Sequence, residues 1–152
     1  MRVCLVGFLR KICTEEIGVT VEYDKTYQDC FVCGKNNKKG LQLDFHYDEE
    51  QGEMFTRCTY GRHMQGYERV VHGGFISMLL DEVMAKACLH QELIAVTMQF
   101  EVRFRKPVYV DEEMIFFGKI AELKGRRVRT EARCVDTEGR IRATARAIFL
   151  KQ

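Results

Sequence analysis

The run Val70-Val71-His72-Gly73-Gly74-Phe75-Ile76-Ser77-Met78-Leu79-Leu80-Asp81-Glu82 puts two glycines where a helix would begin and two carboxylates inside its apolar stretch. The free N–H groups of a first helical turn and the positive end of the helix dipole attract negative charge. Glycines, having no Cβ, let a ligand approach that turn closely. Anion-binding donors at Gly73 and Gly74 and a carboxylate about two turns later therefore share one element. A carboxylate held among apolar residues is costly unless it is hydrogen-bonded or paired, so Asp81 or Glu82 calls for a functional reason. The plainer alternative is tight packing at the glycines and an ordinary salt bridge for the acids.

The elements that must position these groups can be read from periodicity. Ile76, Leu79, Leu80, Val83, Met84 and Ala87 recur at helical spacing, which predicts a helix from about Gly73 to His90. Leu41–Tyr47 and Met54–Tyr60 each alternate apolar and polar residues around Asp48-Glu49-Glu50-Gln51-Gly52, which predicts a hairpin. After the helix the period becomes two. Val96, Met98, Phe100, Val102 and Phe104 are expected on one strand face, with Thr97, Gln99, Glu101, Arg103 and Arg105 on the other, and Pro107 ends the strand. Met114–Leu123, Arg126–Val135 and Arg140–Leu150 read as three more strands joined by short turns suited to antiparallel hairpins. The fold class is α+β, with one long helix able to cover a strongly curved antiparallel sheet of five to six strands.

A chain of 152 residues with 24 Lys and Arg against 22 Asp and Glu is one ordinary-sized domain, close to neutral, which argues against a general nucleic-acid binder. The charge is unevenly spread: Arg103 to Lys151 holds thirteen basic against seven acidic residues. Residues 1–29 lack a strong period and are read as an N-terminal extension, with the domain proper over 30–152. No apolar run approaches the length of a membrane span, and Val3–Leu9 makes a poor signal peptide. Seven scattered cysteines, an odd number, favour reduced thiols and a cytoplasmic location. Cys30 and Cys33 have metal-ligand spacing, but no second Cys-x-x-Cys or close His pair accompanies them. His46, Cys58 and His63 are conceivable recruits; the expectation is no metal and no cofactor, with the residues around Gly34 making a turn.

The segment Gln65-Gly66-Tyr67-Glu68-Arg69-Val70-Val71-His72-Gly73-Gly74, followed by Leu79-Leu80-Asp81-Glu82, closely resembles the active-site segment of hotdog-fold acyl-CoA thioesterases, specifically the phenylacetate-degradation-type branch. In that branch an acidic residue lies nine positions after the His of His-Gly-Gly, and Asp81 lies there. Cys30-Phe31-Val32-Cys33-Gly34 with Asn36 and Gly40-Leu41, and Val96–Val102 leading to Phe104-Arg105-Lys106-Pro107, extend the resemblance from about Cys30 to the C-terminus. One departure is Glu68-Arg69 where many relatives carry Pro-Gly, which predicts a loop of different shape.

The resemblance implies the hotdog fold, a homodimer or homotetramer whose sites use both chains, and an acyl-CoA substrate, with neither nucleic acid nor membrane as partner. It assigns carbonyl polarisation to the Gly73 N–H with help from Gly74, and the general-base or nucleophile role to Asp81 of the other subunit. His72 supports the loop and the leaving-group side. Gln65 and Thr97 are candidates for holding water or carbonyl. Phe75 is a candidate for the acyl pocket, together with Met78, Met84, Met98 and Phe100, all of which could equally be core. Arg103, Arg105 and Lys106 are candidates for the coenzyme phosphates. Two rival readings stay open: a hotdog enoyl-thioester hydratase, and a non-catalytic acyl-CoA sensor.

Overall fold

The computed structural model describes residues 19–20 and 27–152. The N-terminal extension expected over residues 1–29 falls largely outside the described residues. The described residues form seven strands, β1 (Val19–Thr20), β2 (His46–Asp48), β3 (Glu53–Thr59), β4 (Ala95–Phe104), β5 (Glu113–Lys124), β6 (Arg127–Asp136) and β7 (Ile141–Lys151), with a long helix, α1 (Gly73–His90), between β3 and β4. The strands form one antiparallel sheet in the order β1-β2-β3-β5-β6-β7-β4. The helix touches all five strands from β3 to β7, the hotdog arrangement of a central helix wrapped by a sheet. Six strands come from His46 onward, and the two-residue β1 adds an edge by pairing Val19 with Tyr47 and Thr20 with His46.

The helical period is fulfilled residue by residue. Ile76, Leu79, Leu80, Val83, Met84 and Ala87 are all buried against the sheet. The closest approach is at Gly118 of β5, where a Cβ would stand 2.9 Å from the Val83 carbonyl, so any side chain there would push the helix off the sheet. The start of α1 is fixed by His72, an extended N-cap whose Nδ1 accepts from the Gly74 N–H at 2.9 Å. Tyr60 locks the same turn to the end of β3, its hydroxyl donating to the Phe75 carbonyl at 3.2 Å.

Two local expectations are corrected. The first hairpin strand was expected over Leu41–Tyr47 but occupies only His46–Asp48. The Leu41 and Leu43 N–H groups are spent on the carbonyls of Phe31 and Val32, and Gln42 takes φ +50, so the alternating segment pairs with the Cys30–Gly34 turn instead of β3. The second correction concerns β4. Thr97 pairs with Phe149, and Gln99 with Ile148, leaving Met98 as an extra, bulged residue. The bulge shifts the alternation by one position. Thr97 therefore joins Phe100, Val102 and Phe104 on the helix side, opposite Phe149, Ala147, Ala145 and Ala143, while Val96 and Met98 are exposed.

Candidate active site

The loop before α1 is built by its own backbone. The Gly66 N–H donates to the Val70 carbonyl at 2.8 Å and the Val70 N–H to the Tyr67 carbonyl at 3.0 Å, enclosing a turn centred on Glu68-Arg69. Arg69 takes φ +60, a conformation glycine adopts without cost. A Pro-Gly pair suits such a turn, with the glycine at the left-handed place. Glu68-Arg69 thus departs from the family in residue type while Arg69 holds a glycine-like backbone. Gln65 serves this loop: its Oε1 accepts from the Arg69 N–H at 3.2 Å.

Beyond the loop lies a cleft of about 450 Å3 lined in part by Tyr67, His72, Gly73, Phe104, Arg105 and Lys106. Gly73 sits at its wall, where a Cβ would meet the Phe104 ring at 3.0 Å. As the first residue of α1 its N–H has no helical partner, and it takes none elsewhere among the described residues. Gly74 differs. Its N–H is occupied by His72 Nδ1, which leaves Gly73 as the open donor at this terminus. The same bond requires Nδ1 of His72 to be unprotonated, since that nitrogen is the acceptor.

Two turns along the helix, Asp81 Oδ1 accepts from Thr97 Oγ1 at 2.8 Å. Burial of the half-buried carboxyl raises its pKa above the ordinary carboxylate value, and the Thr97 hydrogen bond opposes the rise. The Asp81 carboxylate is thus held more basic than a free aspartate and is oriented by a hydroxyl from the neighbouring strand. Glu82 faces elsewhere, paired to Lys86 at 3.3 Å.

The remaining candidates divide. Arg105 and Lys106 line the cleft, and their N–H groups are anchored on the Arg142 carbonyl at 2.7 and 3.0 Å. Arg103 does not line this cleft: it pairs with Glu101 at 3.0 Å on the sheet face away from the helix, opposite Thr144, where it and Arg105 line a separate cavity. Phe75 packs against the core and presents its ring edge to His72, 6.4 Å between centroids, and Met84 is fully buried core. Phe104 and Tyr67, named in the motifs above but given no site role there, also line the cleft as large side chains that remain exposed, at 55% and 85%.

With this geometry in view, the family model of the thioesterase superfamily matches residues 68–143, from the turn before His72 to the start of β7. The chain belongs to the thioesterase superfamily. Among curated proteins it resembles the rat acyl-coenzyme A thioesterase THEM4, 24% identical over 117 residues, which is 75% of this chain and 50% of that protein. The chain thus spans about half the length of the curated relatives it matches. Among solved structures, the thioesterase superfamily protein RHA08564 superposes with a TM-score of 0.78 at 20% identity, covering 95% of this chain and 74% of that one. The E. coli PaaI protein of the phenylacetic acid degradation operon gives 0.69 at 21%, over 79% and 83%. A hypothetical thioesterase from Streptococcus pneumoniae TIGR4, solved with coenzyme A, gives 0.64 at 18%, over 66% and 79%. These structural likenesses agree with the helix-and-sheet architecture of this superfamily member. No helix among its described residues is long and apolar enough to cross a membrane.

Proposed function

We propose that the protein is an acyl-CoA thioesterase, cleaving a thioester to a carboxylic acid and coenzyme A across a homodimer interface. The observation that carries this reading is the pair of groups on α1: an open N–H at Gly73 on the cleft, and a carboxylate at Asp81 oriented by Thr97. In the reaction, Asp81 takes a proton from water, the hydroxide adds to the thioester carbonyl, and the Gly73 N–H and helix dipole hold the oxyanion. Collapse then expels the coenzyme thiolate. Direct attack by Asp81, through an anhydride that water then opens, uses the same groups. The names of the rat relative and of the coenzyme A complex support coenzyme A as the leaving group. Arg105 and Lys106, which line the cleft, are assigned to its phosphates by charge.

One subunit does not complete such a site. Gly73 and Asp81 lie eight residues apart on one helix, about 12 Å along its axis, too far to serve one carbonyl. The edge strand β4 offers a surface for a second copy: its outer backbone is unpaired in the sheet order, and Ile94, Val96 and Met98 are exposed at 66%, 53% and 49%. A two-fold pairing there would let Gly73 of one chain and Asp81 of the other share a substrate. The test is Asp81→Ala in a free-thiol assay over a panel of medium-chain and aryl acyl-CoAs. Turnover should fall by about 10²–10⁴ with the circular dichroism spectrum kept. Unchanged turnover overturns the assignment, and tight acyl-CoA binding by the wild-type protein without turnover supports a sensor instead.

A further inference from the structure

The Cys30–Gly34 turn is not used by the proposed hydrolysis, yet it is closely built. The Cys30 N–H donates to the Tyr27 carbonyl at 3.1 Å, the Gly34 N–H to the Cys30 carbonyl at 3.0 Å, and the Val32 N–H to Cys30 Sγ at 3.4 Å. A side chain at Gly34 would collide with the backbone of Gln28 and Cys30, so the tight return of the chain depends on glycine. The turn brings both thiols to Glu82 of α1. Cys30 Sγ lies 3.9 Å from Glu82 Oε1, and the donor atoms of Cys30, Cys33 and Glu82 all fall within 4.8 Å of one another. Beside them Lys86, 2% exposed, sets its ammonium 3.3 Å from Glu82 Oε1 and 4.5 Å from the centre of the Tyr27 ring.

We propose that Cys30, Cys33 and Glu82 bind a zinc-type divalent cation, with Lys86 neutralising the cluster from outside the coordination sphere. Tetrahedral bonds of about 2.3 Å to sulfur and 2.1 Å to oxygen put the ligand atoms roughly 3.5–3.8 Å apart, a contraction that small side-chain rotations supply. Two thiolates and a carboxylate carry three negative charges, the cation two positive and Lys86 one, so these half-buried groups sum to zero. Without the metal the sum is also zero, as two neutral thiols and the Glu82–Lys86 pair. Binding therefore exchanges two thiol protons for one dication at constant charge: Zn2+ enters, two H+ leave, and no electron moves. The N–H donated to Cys30 Sγ favours the same thiolate state. Thiolate donors select zinc over magnesium or calcium. No other His, Cys, Asp or Glu joins the group among the described residues. The site would clasp the segment between β1 and β2 onto α1 at the residue next to Asp81, without contributing to the chemistry.

The test uses the full chain, reduced and stripped of metal, titrated with Zn2+ and separately with Co2+. One cation per chain is expected, with cobalt giving thiolate charge-transfer absorption and tetrahedral visible bands that zinc abolishes. Cys30→Ser and Cys33→Ser should lose the charge-transfer band or most of its intensity, Glu82→Gln and Lys86→Gln should weaken binding by roughly tenfold or more, and Cys58→Ala should bind as wild type. Glu82→Gln keeps the comparison valid if the Lys86 variant misfolds, with circular dichroism as the check on folding. Substoichiometric binding by the reduced wild type overturns the proposal, as does a band that survives in the double Cys30→Ser, Cys33→Ser variant. An intramolecular Cys30–Cys33 disulfide that forms as fast with zinc present as without it also overturns it, in favour of a redox pair.

Discussion

Thr97 reaches Asp81 because β4 contains one residue more than its partner strand. With Met98 bulged out, the Thr97 hydroxyl turns inward and donates to Asp81 Oδ1 at 2.8 Å. In a regular strand Thr97 would face outward beside Gln99 and Glu101, and Asp81 would lose its hydrogen bond. Register, helix position and the state of the carboxylate are thus one linked arrangement.

Removing that hydroxyl should show in the pH profile. The Thr97 hydrogen bond lowers the pKa of Asp81 against the rise caused by burial. If Asp81 is the base proposed above, Thr97→Ala should therefore move the acid limb of kcat/KM to higher pH and should cut the plateau by about tenfold, the value of a hydrogen bond to a charged group. Thr97→Ser should restore both. An unshifted acid limb would show that Thr97 does not tune the base.

Asp81 also bears on stability. Burial raises its folded pKa, so the folded state holds the proton more tightly than the unfolded chain does. Its contribution is fully present below the unfolded value and declines as pH rises through the raised folded value. Asp81→Asn, which can still accept from Thr97, should be less active and more heat-stable at pH 7, with Tm higher by about 2–4 °C, and this gain should vanish in acid. Thermal melts at two pH values decide it.

Asp136 has the opposite sign. Burial acts to raise its pKa, but hydrogen bonds from the Arg140 side chain and backbone and from Arg142 outweigh it and hold the carboxyl below the usual range. Its stabilisation is present above the unfolded value and is lost as pH falls through the lowered folded one. Arg142 also donates to the Pro107 carbonyl at 2.9 Å, so this turn supports the segment carrying Arg105 and Lys106. Asp136→Ala should cost about 3 kcal/mol at neutral pH and raise KM for acyl-CoA more than it lowers kcat. Urea melts and steady-state kinetics read the two effects.

How much of this was legible depends on whether a signal is local. The helix was readable to the residue, since its apolar positions repeat at 3.6 and all of Ile76, Leu79, Leu80, Val83, Met84 and Ala87 are buried. The long strands were readable within a residue or two at most ends for the same reason. The inward turn of Thr97 was not, because Met98 looks like any strand residue and the bulge exists only relative to β7. Nor was the capture of the Gly74 N–H by His72, which depends on the side-chain conformation of the N-cap. The meeting of Cys30 and Cys33 with Glu82 joins segments about fifty residues apart, so spacing showed two donors and only the fold supplied the third. A lysine at position 86, four residues after Glu82 on the core side of the helix, was the one visible hint.

Arg69 offers a test of backbone strain apart from chemistry. At φ +60 a residue with a Cβ costs about 1–2 kcal/mol relative to its preferred region, whereas glycine does not, though it loses up to about 1 kcal/mol of chain entropy on folding. Arg69 uses its backbone here, its N–H bonding Gln65 and its carbonyl accepting from Val110 at 3.0 Å, so both bonds survive substitution. Arg69→Gly should stabilise the fold by about 0.5–1 kcal/mol, and Arg69→Val should destabilise it, since a β-branched residue tolerates positive φ least. Chemical denaturation of both variants reads the sign, and a stabilising valine would show that the turn relaxes out of the left-handed region.

The dimer requirement can be tested on the edge strand. Met98 is 49% exposed on β4, where the proposed second copy would pair, and it lies outside the buried core. Met98→Lys places a charge on that edge, the device by which natural edge strands resist pairing. The variant should stay folded, run as a monomer in light scattering, and lose hydrolysis by a factor comparable to Asp81→Ala, because Gly73 and Asp81 would no longer face one another across two chains. Full activity in a verified monomer would mean that one helix, despite the 12 Å of axis between its two groups, completes the site alone.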